Sequence, residues 1–547
     1  MGRSHPADEI PDFRCLDVEQ NCLVKVPSGS RYAALSYVWG RQEFFTTVMA
    51  NVDDLERAGS LEEREYLKQI PQTIKDAMQV AREVGIRYLW VDSLCIVQDD
   101  NTGKKLDTIK KMDLVYSAAH LVVVAASSAD AYAGIAGIHP GTRGVRQPIE
   151  EIAPGFRLAF KTRWQDYIKD AVYYTRGWTF QETHFATRSL IFIGGQVVFS
   201  CKSVSEWQEH VFETEAEIRG KSEEEGRGGG PFEGDDIGNY EGLIQTFSER
   251  VLSFDSDVYN AFAGVATQLS FRLKTDLCHG IPTAYFDWFL LWGPLSNQVR
   301  RPNAPSWSWA GWVGGSFPRI WDWYNRSIRR VQKAIRKRTW VIWYHRLSHD
   351  STQCFLVHTH NKASESSKKK LNFYGAKSHP RFGDLDCSRT EPTERILKIH
   401  APTPAPTYTT DILSKRAGSG FLQFWTVSLT LRLDEPTSIA EDVGPEHTRR
   451  RLGIFGRSGH ELGTVSVQGD WAKKNAVPVE REFILLCEGR DERAEGGRID
   501  DEEGWRYMAM LIDWHGEYAE RVAIGSIGKA DLKEALGDGA VWKEIIL

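Results

Sequence analysis

A chain of 547 residues exceeds a single ordinary core and sets an expectation of two or three domains. A formal charge of −6 argues against a nucleic-acid binder, and no apolar run reaches the roughly 20 residues that cross a bilayer as a helix. The opening MGRSHPADEIPDF has no apolar stretch of a secretory signal, and eight scattered cysteines without a C-x-x-C pair read as reduced thiols of a cytoplasmic protein rather than a disulfide framework or a metal site. Nineteen tryptophans imply large packed cores or aromatic-lined pockets, and composition does not choose between them.

In chain order, residues 1–31 read as a polar, irregular lead-in arm. Tyr32 to Trp39 is a first strand, stopped by Gly40. Helix-favouring polar sequence runs from Val52 to Lys68. Ile70, Ile74, Ala77, Met78, Ala81 and Val84 then recur at three- and four-residue steps, one apolar face of a helix with Pro71 in its first turn and Gly85 as its stop. Tyr88 to Val91 is a short strand apolar enough to be covered on both faces. Leu106 to Ala118 is a second amphipathic helix, and Leu121 to Ala126 a third buried strand that breaks into the small-residue loop SSADAYAGIAG. Strand, helix, strand, helix, strand implies parallel pairing. Trp164 to Tyr174 looks helical, and SLIFIGGQVVFSC is a hairpin signal around Gly194 and Gly195.

The acidic, glycine-rich stretch 206–238 reads as a linker or insertion, and 239–547 as an α+β region. Within it, Tyr240 to Leu273 has helical periodicity, PSWSWAGW is dense in aromatics, 326–338 is basic, 361–406 is a long polar loop, several β-patterned runs come next, and Ala530 to Ile545 reads as a last helix.

Asp92 ends its strand, with Ser93, Cys95 and Gln98 keeping the same mouth polar. In open α/β sheets ligands bind outside the carboxyl ends of the strands, so Asp92 is a candidate to orient a ligand. The competing reading is an N-cap for whatever follows, since Asp is a favoured cap. Cys95 would need a nearby base to act as a nucleophile, and the better reading is a buried thiol.

Three blocks resemble the fungal heterokaryon incompatibility (HET) domain: ALSYVWG at Ala34 to Gly40, RYLWVDSLCIVQDD with its preceding helix, and RGWTFQE at Arg176 to Glu182. The resemblance covers roughly residues 32–205. It implies a cytoplasmic fungal protein that induces programmed cell death in non-self recognition, with self-association and an incompatibility partner protein as its contacts, and no nucleic acid. HET domains in turn resemble TIR domains remotely, which implies a TIR-like parallel sheet with flanking helices and an added β-hairpin. Some TIR domains cleave NAD+ with a glutamate four residues after a tryptophan, the spacing of Trp178 and Glu182. On that resemblance Glu182 is catalytic, Asp92 orients the ribose, and Ser36, Trp39, Gly40, Ser93, Cys95, Arg176 and Trp178 line the pocket. NAD+ is then a substrate, with no cofactor and no metal. The competing reading of Glu182 is a salt bridge to Arg176 or Arg188, in a signalling module that works by self-association without chemistry.

Overall fold

The computed structural model describes residues 4–143, 149–159, 162–202, 206–208, 236–317, 338–339, 341–346, 353–357, 388–389, 398–400, 420–437, 449–490, 505–529, 531 and 540–547. The chain divides into two units: Met1–Glu233 with Asn260–Val265, and Gly234–Tyr259 with Ala266–Leu547. The linker reading of 206–238, the basic stretch 326–338 and the loop 361–406 fall almost wholly outside the described residues. Within the first of these, 206–208 is a strand and Asp236 begins a helix.

The first unit is a mixed α/β structure. Its strands in chain order are β1 (Arg14–Asp17), β2 (Cys22–Lys25), β3 (Tyr32–Ser36), β4 (Tyr88–Trp90), β5 (Leu121–Ala125), β6 (Ile149–Ala153), β7 (Phe156–Ala159), β8 (Arg188–Ile193), β9 (Gln196–Cys201) and β10 (Glu206–Gln208). Eight of them form one sheet in the order β10-β9-β8-β5-β3-β4-β1-β2, and β6 pairs only with β7. The centre, β8-β5-β3-β4, is parallel, as the alternation of strand and helix predicts. All five residues of β3 and of β5 are buried, as befits strands covered on both faces.

Both edges are antiparallel. The β8–β9 pair is the expected hairpin, turning at Gly194 and Gly195 with positive φ. The other edge corrects the lead-in reading of residues 1–31: β1 and β2 pair with each other, and β1 adds to β4. The sheet is therefore mixed, with a parallel centre.

The helix Gln72–Glu83 buries Ile74, Ala77, Met78 and Ala81 on one face, and Pro71 precedes it with extended backbone. Gly85 takes φ +70, the left-handed conformation that glycine adopts without steric cost. The single helix expected over 106–118 is two, Lys104–Lys110 and Met112–Ala118, joined at Lys111. Asp76, on the buried face of the 72–83 helix, accepts the Ile135 N–H (2.7 Å) and the Gln72 amide (2.6 Å), and His139 lies 2.8 Å from it. That carboxylate ties down the small-residue loop after β5.

The second unit is β-rich and also carries helices, in partial agreement with the α+β expectation for 239–547. Among the described residues its main sheet has eleven strands built on Phe421–Asp434, which pairs with Tyr344–Arg346, Arg449–Phe455, Val479–Arg490 and Val541–Ile546. The last of these overturns the closing helix: helix-favouring Ala530 to Leu536 runs into VWKEII, whose β-branched residues pair with the long central strand. The helical periodicity of 240–273 holds as two helices, Asp236–Ser248 and Ala263–Leu273.

Several tryptophans of this unit, among them Trp288, Trp292, Trp307, Trp309 and Trp343, are core. Trp307 is fully buried and donates its indole N–H to the Gly420 carbonyl (2.8 Å), Trp292 donates to the Trp307 carbonyl (2.8 Å), and Trp312 to that of Ser306 (2.8 Å). Each of these indole N–H groups thus has an acceptor, which removes the main cost of burying it.

Candidate functional site

The chain leaves β3 for β4 on one side and then crosses back to β5 on the other, so the strand order reverses next to β3. Such a reversal opens a crevice at the carboxyl ends of the strands. Ser36 is the last residue of β3, and Asp92 lies just past the end of β4. Glu182 comes from the helix Trp178–Phe185, one turn after Trp178 and on the same face.

Glu182 is 5% exposed and Ser36 fully buried. The Ser36 hydroxyl donates to the Glu182 carboxylate and also contacts the Tyr173 hydroxyl. With its proton committed to Glu182, Ser36 accepts from Tyr173, so a chain of hydroxyls ends on the acid. Asp92 is half-buried. It accepts from the Trp39 indole N–H (2.8 Å) and from the Ser93 backbone N–H (2.7 Å). Ser93 in turn lies 2.8 Å from the Tyr37 hydroxyl.

These surroundings shift both acids. Burial pushes Glu182 from 4.5 up to about 8, the charge of Asp92 adds to the rise, and the Ser36 hydroxyl and Arg176 oppose it. Burial likewise raises Asp92 from 3.8 to about 6, against bonds from Trp39, Ser93 and Tyr37 and the charge of Arg176. The two carboxyls therefore sense each other, and Arg176 acts on both. At neutral pH Glu182 holds its proton while Asp92 is mostly ionised, a pair of unlike states suited to acid–base work.

Gly40 belongs to the site as a matter of fit. It takes φ +87, and a Cβ there would stand 2.6 Å from Cβ of Asp130 in the loop after β5. The ALSYVWG block ends in glycine so that this loop can close over the end of β3. The same block carries Ser36, Tyr37 and Trp39, three of the site's hydrogen-bonding side chains.

Other expected residues divide. Arg176 and Trp178 are half-exposed at the start of the helix that carries Glu182. Cys95 turns to backbone instead: its sulfur accepts from the Val91 N–H (3.2 Å) and donates to the Leu89 carbonyl (3.8 Å), and burial pushes the thiol up to about 12. That is the chemistry of an inert buried thiol. Asp92 is not the N-cap of the short Asp92–Cys95 helix; Val91 holds that position, and Asp92 opens the first turn. Arg188 is an exposed residue of β8, so the salt-bridge reading of Glu182 rests on Arg176 alone.

Sequence reasoning missed three tyrosines and a strap. Tyr173 bonds Ser36, Tyr116 donates to the Leu35 carbonyl (3.1 Å) beside the acids, and Tyr37 sits inside a motif read for its neighbours. The strap is Asn260–Val265. Gln181, next to Glu182, donates to the Asn260 carbonyl (2.9 Å) and accepts from the Gly264 N–H (2.9 Å). Phe180 stacks on Phe262, ring centres 6.4 Å apart. Gly264 has no room for a side chain, since a Cβ would lie 2.7 Å from the Gln181 amide oxygen. The one local signal was Gln181 itself, an amide inside an otherwise buried helical face.

The first unit is thus a mixed α/β domain with an acid pair at the reversal of its strand order. Comparison with known families agrees on its kind: residues 32–182 match the family described as Heterokaryon incompatibility protein (HET), so the chain carries a HET domain. No curated protein and no solved structure matches the chain.

Proposed function

We propose that the HET domain cleaves the glycosidic bond of NAD+ or a related nucleotide, and that this chemistry drives cell death in fungal non-self recognition. The reading is supported by one observation: Glu182 and Asp92, 90 positions apart in sequence, lie within electrostatic reach of each other beside the carboxyl ends of the parallel central strands, and burial raises Glu182 to about 8, so that its ionisation responds to a bound cation. The remote TIR resemblance and the Trp178–Glu182 spacing support it. In the reaction the ribose–nicotinamide C–N bond breaks with its electron pair leaving on the ring nitrogen, water adds to the ribose carbon, and one proton is released. A carboxylate beside the ribose stabilises the oxocarbenium-like centre. A cationic nicotinamide ring near Glu182 would also favour its ionised form, so substrate binding itself primes the acid. Asp92 orients the ribose, and Trp39 holds Asp92.

The test is release of free nicotinamide by purified full-length protein. Wild type is expected to give product, at a rate that climbs with pH toward about 8 as free Glu182 ionises. Glu182→Gln is expected to lower the rate at least about 100-fold with the fold intact. No product at high protein concentration overturns the reading.

One observation favours a second reading. Glu182 is almost wholly enclosed and its partners are internal hydroxyls, which is also how a buried acid pins a helix to a sheet. In that case the domain signals by self-association, and Glu182→Gln retains killing in cells.

A further inference from the structure

The second unit contains a polar cavity of about 450 Å3 on the half-exposed face of its large sheet. That volume lies within the roughly 300–1,000 Å3 typical of small-ligand sites. Its floor is a row of donors. Thr464 and Ser526 stand directly opposite each other on neighbouring strands, Glu461–Gln468 and Tyr518–Ile527. Arg506, on the next strand, points its guanidinium Nε at the Ser526 hydroxyl (3.1 Å). Arg451 lines the opposite side from the strand Arg449–Phe455 and has no hydrogen-bond or ion-pair partner among the described residues.

The lining also holds two acids, whose contacts lie away from both arginines. Glu461 accepts from the backbone N–H of Thr437 (2.8 Å) and from its hydroxyl, and Asp531 lies 3.5 Å from the His460 ring. Neither carboxylate neutralises an arginine. Two guanidinium groups and two hydroxyls therefore face one hollow, and among the described residues neither guanidinium is bonded to a carboxylate of the lining. A phosphate group, with three terminal oxygens and about two charges, satisfies such a set better than a carboxylate with two oxygens and one charge.

We propose that this cavity binds a small phosphate monoester, its phosphate held by Arg451 and Arg506 and completed by Ser526 and Thr464. The site is separate from the acid pair of the HET domain and stands whether or not that domain is an enzyme.

Titration calorimetry on the full-length protein tests it, with ribose 5-phosphate, inorganic phosphate, ribose and succinate as probes. Ribose 5-phosphate is expected to bind with a Kd below about 1 mM, inorganic phosphate more weakly, and ribose not at all. Arg451→Gln and Arg506→Gln are each expected to weaken ribose 5-phosphate binding about tenfold or more, with the melting temperature of the ligand-free protein unchanged, and Glu182→Gln to leave binding as it was. Absence of heat with ribose 5-phosphate at about 10 mM, binding unaltered in both arginine variants, or succinate bound as tightly as ribose 5-phosphate would each overturn the assignment.

Discussion

Each unit buries a glutamate, and the two are satisfied in opposite ways. In the second unit, fully buried Glu488 meets the guanidinium of Arg338 at 2.6 Å, with Lys529 at 3.4 Å, and Arg338 also lies 4.0 Å over the Trp505 ring. The charge is paired and enclosed, an arrangement that fixes packing. In the first unit Glu182 has hydroxyls for partners and a second acid within electrostatic reach, so its proton is held near the physiological range. Burial alone does not make an acid reactive. What differs is whether the neighbours remove the charge or leave it adjustable.

The largest expected effect separates these roles. Arg338→Met leaves Glu488 enclosed without its closest cation and should destabilise the second unit by about 3–5 kcal/mol, read from denaturant unfolding followed by tryptophan fluorescence. Nicotinamide release should be unaffected at temperatures where the variant stays folded.

Glu182→Gln should act in the other direction and depend on pH. The folded protein holds the Glu182 proton more tightly than the unfolded chain, about 8 against 4.5. Folding then carries no penalty from this group below pH 4.5, an increasing one between pH 4.5 and 8, and its full penalty above. Asp92 adds a contribution of the same sign between pH 3.8 and 6. Wild type should lose stability as pH rises through that window, and Glu182→Gln should lose less. Melting curves from about pH 4 to about pH 9 that run parallel for the two proteins would contradict the assignment. The smallest effect is expected from Trp39→Phe, which deletes the 2.8 Å bond to Asp92 and should cost about 1 kcal/mol while raising the Asp92 pKa further.

Where local pattern decided the outcome, the sequence could be read. β3, β4 and β5, the 72–83 helix and the Gly194–Gly195 hairpin each carry their periodicity and stop signal within a short stretch of chain. So did the acid placement, because Asp92 comes directly after a buried strand. What escaped needed a partner far along the chain. β1 and β2 are four residues each and become strands because they pair with each other and β1 pairs with the edge of β4. Val541–Ile546 was read with the helix-favouring run before it, and only the long central strand beside it decides the matter. Tyr173 meets Ser36 across 137 positions, a contact that no spacing rule anticipates.

The Gln181 contact bears on how the domain can be handled as an isolated fragment. The family match ends at residue 182, one position after an enclosed amide whose two hydrogen-bonding ends are both taken up by backbone about 80 residues downstream. A recombinant piece trimmed to the matched residues would expose Phe180 and strip Gln181 of its acceptor and its donor, right beside Glu182. Inactivity of such a piece would speak to where it was cut before it spoke to its chemistry.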